Sequence, residues 1–300
     1  MKSGIINVYK EKGFTSFDVV AKLRGILRTK KIGHTGTLDP DAEGVLPVCL
    51  GNATKLCDML TDKSKTYQTV MKLGVVTDTQ DMTGTILKET DISITKEDIQ
   101  EAVMSFVGEY EQIPPMYSAK KVNGKKLYEI AREGKVIERK PCKVCIRNIQ
   151  INDMNMEEGE VTMTVSCSKG TYIRTLCHDI GDLLKCGACM KSLLRTQVSQ
   201  FELSDSMKLS EIEKLALEGS LEKKVIAVDQ VLSEYTGIIV VEKADRLLYN
   251  GNAISEDMIA KREEGNCSQF RVYDSKRTFI GMYQWNNKQQ VYKPAKMFLP

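Results

Sequence analysis

Gly33-His34-Thr35-Gly36-Thr37-Leu38-Asp39-Pro40-Asp41-Ala42-Glu43-Gly44-Val45-Leu46-Pro47 is a stretch with few backbone courses open to it. Three glycines and two prolines stand in its fifteen positions. Glycine reaches dihedral angles that other residues avoid, and proline locks its own φ, so this is a loop built to position something. It carries a row of carboxylates, Asp39, Asp41 and Glu43. His34 lies just upstream, and the cations Arg28, Lys30 and Lys31 lead in.

Asp39, Asp41 and Glu43 followed by Gly44 imitate the opening of a calcium-binding loop. The imitation fails at the twelfth position, where Leu50 stands in place of a bidentate Glu, and at Pro40, which stiffens a segment that must curl around an ion. Asp39 differs from the other two acids because it directly precedes a proline, which pushes its backbone towards an extended form. A carboxylate mounted in this way can attack or orient. By residue type alone, a solvated acidic turn is the plainer reading.

Working outward, 300 residues with 42% hydrophobic and 28% charged residues describe a globular chain long enough for two domains. No apolar stretch approaches the roughly 20 residues that span a bilayer. Met1 to Lys12 lacks the apolar run of a signal peptide, so a cytoplasmic protein without a membrane role is expected. Nine scattered cysteines argue for reduced thiols rather than a disulfide framework. Cys142 with Cys145, and Cys186 with Cys189, have the two-residue spacing of zinc knuckles. Strand alternation would send Cys142 and Cys145 to opposite faces, and with only His34 and His178 in the chain no metal site is expected. The net charge of +3 is slight, but the cations cluster at 28–31, at Lys63 and Lys65, at Lys120, Lys121, Lys125 and Lys126, and at Arg139, Lys140 and Lys143. Clustered cations are the footprint of a phosphate backbone, while residues 202–234 lean acidic.

Periodicity predicts a strand over Ile5–Val8 and a helix capped by Ser16 with Val19, Val20, Leu23, Ile26 and Leu27 on one face. Asn52 is expected to cap a short helix to about Leu60, and Thr66–Val75 reads as a strand with Tyr67 near its start. Thr95 with Asp98 forms a capping box before Ile99, Val103, Phe106 and Val107. Residues 114–140 are a basic, weakly patterned insertion with one short helix, Leu127–Arg132. Strands are expected at Lys143–Asn152, Glu160–Ser168 and Ser192–Phe201, with a helix at Thr171–Leu184. Elements that do not alternate regularly point to an α+β fold. Past a connector at Val228–Thr236, short strands at Gly237–Val241, Gln269–Tyr273, Thr278–Trp285 and Gln290–Lys293 suggest a small all-β module.

Residues 33–56, GHTGTLDPDAEGVLPVCLGNATKL, closely resemble the catalytic-loop motif of the TruB family of tRNA pseudouridine synthases. The resemblance extends through Gly4 to Lys10 with Gly13 to Ser16, Lys65-Thr66-Tyr67 through Gly74, Asp78 to Gly84, Ile113 to Ala119, Cys167 to Arg174, and Cys186 to Arg195. Glu11, Asp41 and Cys189 depart from common family residues.

This resemblance implies a mixed, largely antiparallel central sheet flanked by helices. The catalytic domain would span 1–232, with 114–140 closing over RNA, followed by a PUA-like RNA-binding domain at 233–300. It implies cofactor-free isomerisation of uridine 55 in the T loop of tRNA by a monomer. Asp39 would be the catalytic carboxylate, Arg174 its partner, and Tyr67 the ring on the target base. Tyr172 and Leu193 would line the pocket, Asp81 would bond near Arg174, and His34 would fill the place of the extruded base. Lys10, Lys63, Lys65, Lys169 and Arg195 would contact phosphates. Three rivals are weaker: an RNA binder without chemistry, against which the Asp39, Tyr67 and Arg174 set argues; a synthase working on a guide-RNA scaffold, from which the modest length and small C-terminal domain differ; and a metal-dependent hydrolase using Asp39, Asp41 and Glu43, which the failed calcium-loop pattern disfavours.

Overall fold

A computed structural model describes residues 3–265 and 268–299. Its larger sheet has nine strands: β1 (Gly4–Lys10), β2 (Ile32–His34), β3 (Glu43–Leu50), β4 (Lys65–Leu73), β7 (Gly108–Gln112), β10 (Cys142–Asn155), β11 (Glu160–Cys167), β12 (Ala188–Val198) and β13 (Phe201–Glu202). Their order is β1-β3-β12-β4-β11-β10-β7, with β2 on β3 and β13 on β12. All pairs along that path are antiparallel except β3 with β12, so the sheet is mixed and largely antiparallel, as expected. Two small hairpins stand apart, β5 (Val75–Thr77) with β6 (Ile86–Glu89) and β8 (Lys121–Val122) with β9 (Lys125–Lys126).

The strand registers place two pairs of helices on one face of this sheet. On β1 and β3, Ile6, Val8, Leu46 and Val48 face helices α1 (Ser16–Leu27) and α6 (Leu209–Leu217), meeting Val19, Val20, Leu23 and Ile212. Further along, Met71, Val161, Met163 and Val165 pack under α3 (Lys96–Ser105) and α5 (Ile173–Leu183) through Ile99, Val103, Leu176 and Ile180. A residue such as Leu176, with no surface exposed, would cost about 2–5 kcal/mol if cut to Ala.

Local chemistry explains the helix ends. Thr95 caps α3 with Asp98 in a reciprocal box, as the sequence predicts. For α1 the cap is Thr15, boxed with Asp18, and not Ser16. Ser16 is buried and turns its hydroxyl to the loop that carries Asp39, where it accepts from the Leu38 N–H at 2.9 Å. The expected helix after Asn52 is a 3-10 turn, Gly51–Leu56, running into α2 (Cys57–Thr61). In the insertion, α4 (Leu127–Arg132) has the expected bounds.

After α7 (Val228–Val231) the chain builds a second, five-stranded sheet ordered β15 (Ile259–Arg262), β14 (Thr236–Val240), β16 (Gln269–Tyr273), β17 (Phe279–Asn286), β18 (Val291–Met297). A short helix beside this sheet, α8 (Asp245–Tyr249), packs Leu248 into its core. β15 was not anticipated, since three of its four residues are exposed and it lies on the sheet edge. The two sheets meet where Met282 and Phe298 join Ile5, Val45, Cys49 and Leu56 in one apolar cluster.

Candidate active site

Asp39 opens a turn closed by the Ala42 N–H donating to the Asp39 carbonyl at 3.1 Å, with Pro40 at the position where a fixed φ suits such a turn. The backbone beyond it is held from below. Lys10 Nζ, sealed from solvent at the end of β1, donates to the carbonyls of Ala42 (2.6 Å), Pro40 (3.0 Å) and Glu11 (3.2 Å). Arg195, equally sealed on β12, donates to Val45 (2.7 Å), Gly36 (3.3 Å) and Thr37 (3.4 Å). Gly44 lies opposite Arg195 in the parallel pair of β3 with β12, at φ +104°. A Cβ there would stand 2.2 Å from the Arg195 carbonyl oxygen, so this crossing requires glycine.

Above this base, α5 presents Arg174 from its first turn. Its side chain is only 6% exposed and uses its donors on both sides of the loop. Nε meets Asp39 Oδ2 at 3.1 Å, Nη1 meets Asp81 Oδ2 at 3.3 Å and the Thr79 carbonyl at 3.1 Å, and Nη2 donates to the Tyr117 carbonyl at 2.8 Å. Asp81 is fixed in turn by Thr79 and Thr83, whose groups donate to its Oδ1. One guanidinium therefore ties together the Asp39 loop, the β5–β6 hairpin and the start of the insertion. Sequence reasoning placed Arg174 beside Asp39 and Asp81 beside Arg174; the distances put all three in one cluster.

Asp39 keeps 40% of its side chain exposed, so the carboxylate is accessible along one face while protein surrounds the others. Its pKa is raised above the ordinary carboxylate value, first by loss of water and further by the Asp81 charge, against the pull of Arg174. The open face limits how strongly burial acts. The other two carboxylates diverge from Asp39. Asp41 lies 4.0 Å from Lys12 at the surface, and Glu43 accepts from the Tyr9 hydroxyl at 3.1 Å. Among the described residues, no three His, Cys, Asp or Glu side chains come together as metal ligands.

Tyr67 sits on β4 between Val165 of β11 and Arg195 of β12, nearly buried. Burial pushes its hydroxyl up to about 12, with Arg195 pulling the other way. His34 is half-buried at the end of β2, and its Nδ1 accepts from the Gly36 N–H at 3.3 Å. Desolvation first and the Arg195 charge second lower its pKa, so the ring is neutral at physiological pH. Tyr172 stands at the N-cap of α5, and Leu193 packs half-buried on β12 across from Thr69.

Three of the five expected phosphate contacts need correction. Lys10 and Arg195 are sealed beneath the loop, and Lys65, also buried, donates to the carbonyls of Thr61 and Lys63 at 2.9 Å. Burial brings Lys10 and Lys65 each down to about 8. Lys10, Lys65 and Arg195 bond backbone oxygens, and no ion pair to a carboxylate is found for them among the described residues. Their role is to hold the backbone. Lys169 is exposed, 2.7 Å from Asp62, and Lys63 pairs with Glu234 at the surface.

Gln112 was missed. At the end of β7 its buried amide accepts from the Tyr172 N–H (2.8 Å) and donates to the Tyr172 carbonyl (3.0 Å), fixing the start of α5 two residues before Arg174. No local signal in the sequence points to a partner 60 residues away.

Residues 24–173 match the model of the TruB family pseudouridylate synthase N-terminal domain, and 174–234 that of the tRNA pseudouridylate synthase B C-terminal domain. The chain is 56% identical over 306 residues to a tRNA pseudouridine synthase B of Lachnoclostridium phytofermentans, covering 99% of this chain and 100% of that protein. It is 47% identical to the protein of the same name from Alkaliphilus oremlandii, covering 98% and 97%. In fold it is similar to a chain of a Cbf5-Nop10-Gar1 complex, with TM-score 0.75 and 24% identity over 99% of this chain and 85% of that one. On its sequence motifs, on both domain matches and on relatives aligned along nearly its whole length, the chain belongs to the TruB family of tRNA pseudouridine synthases.

Proposed function

We propose that this protein converts uridine 55 in the T loop of tRNA to pseudouridine, with Asp39 as the catalytic carboxylate. The observation that carries this reading is the 3.1 Å contact between a solvent-accessible Asp39 and a buried Arg174. An RNA-binding surface alone has no need of an anion aimed by a buried guanidinium. The reaction breaks the bond between ribose C1′ and base N1, turns the base, and joins C5 to C1′. As N1 leaves, C1′ becomes electron-poor, and a carboxylate beside it serves as nucleophile or in removing a sugar proton.

The target must leave its stack to reach Asp39. Tyr67 would receive the base on its ring. With a hydroxyl at about 12 it keeps its proton at neutral pH, and Arg195 opposite eases its part in moving the C5 proton. The neutral His34 ring would occupy the gap, and Tyr172 and Leu193 would line the pocket. Lys169 and Lys63 are the expected phosphate contacts that remain at the surface. Exposed ion pairs of the Lys169–Asp62 kind are worth only about 0–1 kcal/mol, so a phosphate can replace Asp62.

In this reading residues 1–232 form the catalytic domain, 114–140 close over RNA, and the sheet from Thr236 onward is a PUA-like module. The protein acts as a cytoplasmic monomer on the T arm, without a cofactor. Incubation with an unmodified tRNA transcript and mapping of pseudouridine tests it. Product at position 55 alone is expected; binding without product would return the chain to a role in RNA binding or folding.

A further inference from the structure

Among the described cysteines, Cys49 and Cys57 stand apart. Cys49 is fully buried on β3, paired with Gly33 of β2. Cys57 begins α2 and is partly exposed. Its sulfur packs over the same Gly33, where a Cβ would stand 3.0 Å from Cys57 Sγ, so the missing side chain leaves the sulfur room against the β2–β3 pair. Cys57 packs against the apolar cluster that holds Cys49, and Gly33 neighbours both residues, so the two side chains share one small space beside β2 and β3. Their mutual influence draws the Cys57 thiol below its ordinary value against the effect of burial, and pushes Cys49 up together with burial. The result is a thiolate-prone sulfur on a partly exposed residue beside one sheltered sulfur, the asymmetry that favours ordered thiol–disulfide exchange. Cys167, Cys177, Cys186 and Cys189 are buried, and burial pushes each of their thiols up.

We propose that Cys49 and Cys57 are a reversible intrachain disulfide site at the base of the catalytic loop. The oxidant is a low-molecular-weight disulfide, RSSR. The Cys57 thiolate attacks one of its sulfurs, forming Cys57–S–SR and releasing RS⁻. Cys49 then gives its proton to that thiolate through solvent and attacks the Cys57 sulfur, expelling the second RS⁻, which takes a proton from water. Two electrons pass from the protein to RSSR, and two RSH leave. The bond would join β3 to the turn that touches the C-terminal sheet, where Lys55 Nζ donates to the Met297 carbonyl and Lys296 Nζ to the Lys55 carbonyl, both at 2.7 Å.

The test exposes the full chain to glutathione disulfide and follows intact mass, free thiols and tryptic peptides. The expected result is loss of two hydrogens and of two of the nine thiols, with peptide 32–55 linked to peptide 56–63, all reversed by dithiothreitol. Cys49→Ala should instead hold one glutathione on Cys57, and Cys57→Ser should leave Cys49 unmodified. A stable glutathione adduct on unsubstituted protein, linkage through other cysteines, or no linkage of these peptides would overturn the proposal.

Discussion

Replacing Asp39 with Asn should abolish turnover while leaving the fold as firm as before, or firmer. Asn keeps an oxygen for Arg174 Nε, and Arg174 keeps Asp81 at 3.3 Å as its counter-charge, so no buried cation is stranded. What disappears is an anion the fold disfavours, since desolvation and the Asp81 charge outweigh Arg174 in setting its pKa. Between the ordinary carboxylate value and the raised folded value, the folded chain binds more protons than the unfolded chain, so the Asp39 charge costs stability. That cost is complete above the folded pKa and vanishes only below the ordinary one. Removing a destabilised functional group returns about 0.5–2 kcal/mol, and the exposed face of Asp39 places this case at the lower end. The unfolding midpoint should rise by about 1–3 °C at neutral pH and converge with wild type in acid. Turnover should fall by at least about 10⁴-fold, equivalent to about 5.5 kcal/mol in the barrier. Tritium release from C5-labelled tRNA in single turnover, with filter binding and calorimetry alongside, reads all three quantities. Turnover within about tenfold of wild type would refute the catalytic assignment, and earlier unfolding would refute the electrostatic argument.

Arg174→Met should lower single-turnover rates by roughly 10²–10³ and move the acid limb of the rate profile to higher pH; an unmoved limb would show that Arg174 does not hold Asp39 ionised. The same variant leaves the Thr79 and Tyr117 carbonyls without their donor and should lose about 2–4 kcal/mol in denaturant titration. Gly44→Ala forces a Cβ against the Arg195 carbonyl at positive φ and should cost about 3 kcal/mol or leave the protein insoluble, so a wild-type denaturation midpoint would contradict the crossing described. Lys10 carries a folded pKa of about 8 against an ordinary 10.5, so the unfolded chain holds more protons between those values and stability should rise with pH across them. The rise is at most about 3 kcal/mol, and the stability difference between wild type and Lys10→Met should widen by that amount from pH 8 upward; a pH-independent difference would count against it.

The parts of the fold written in local pattern were legible. The Thr95–Asp98 box, the Leu127–Arg132 helix and the alternation along β11 are short-range signals, and each lies where expected. The structure brings Asp39 and Arg174 within 3.1 Å, and their pairing was legible through the family motifs. The cations were not, because charge type says nothing about depth. For Lys10 a cue existed: Ile6, Val8 and Lys10 share one face of β1 by alternation, and that face is buried. For Arg195 there was none, since register shifts flank it between Met190 and Ser192 and between Arg195 and Gln197 and break the alternation of β12. Gln112 was invisible for a related reason, its partner being fixed only by tertiary assembly.

The order of strands also governs when the enzyme can first work during synthesis. β4 lies between β12 and β11, so Tyr67 has neither neighbour until the ribosome has passed residue 160, and lacks the second until about residue 198. At 5–20 residues per second, that leaves β4 waiting roughly 5–25 s with its edges unpaired. A nascent chain truncated before β12 would lack the strand that supplies Arg195, and translation stalled in this interval would yield an aggregation-prone fragment rather than a weak enzyme.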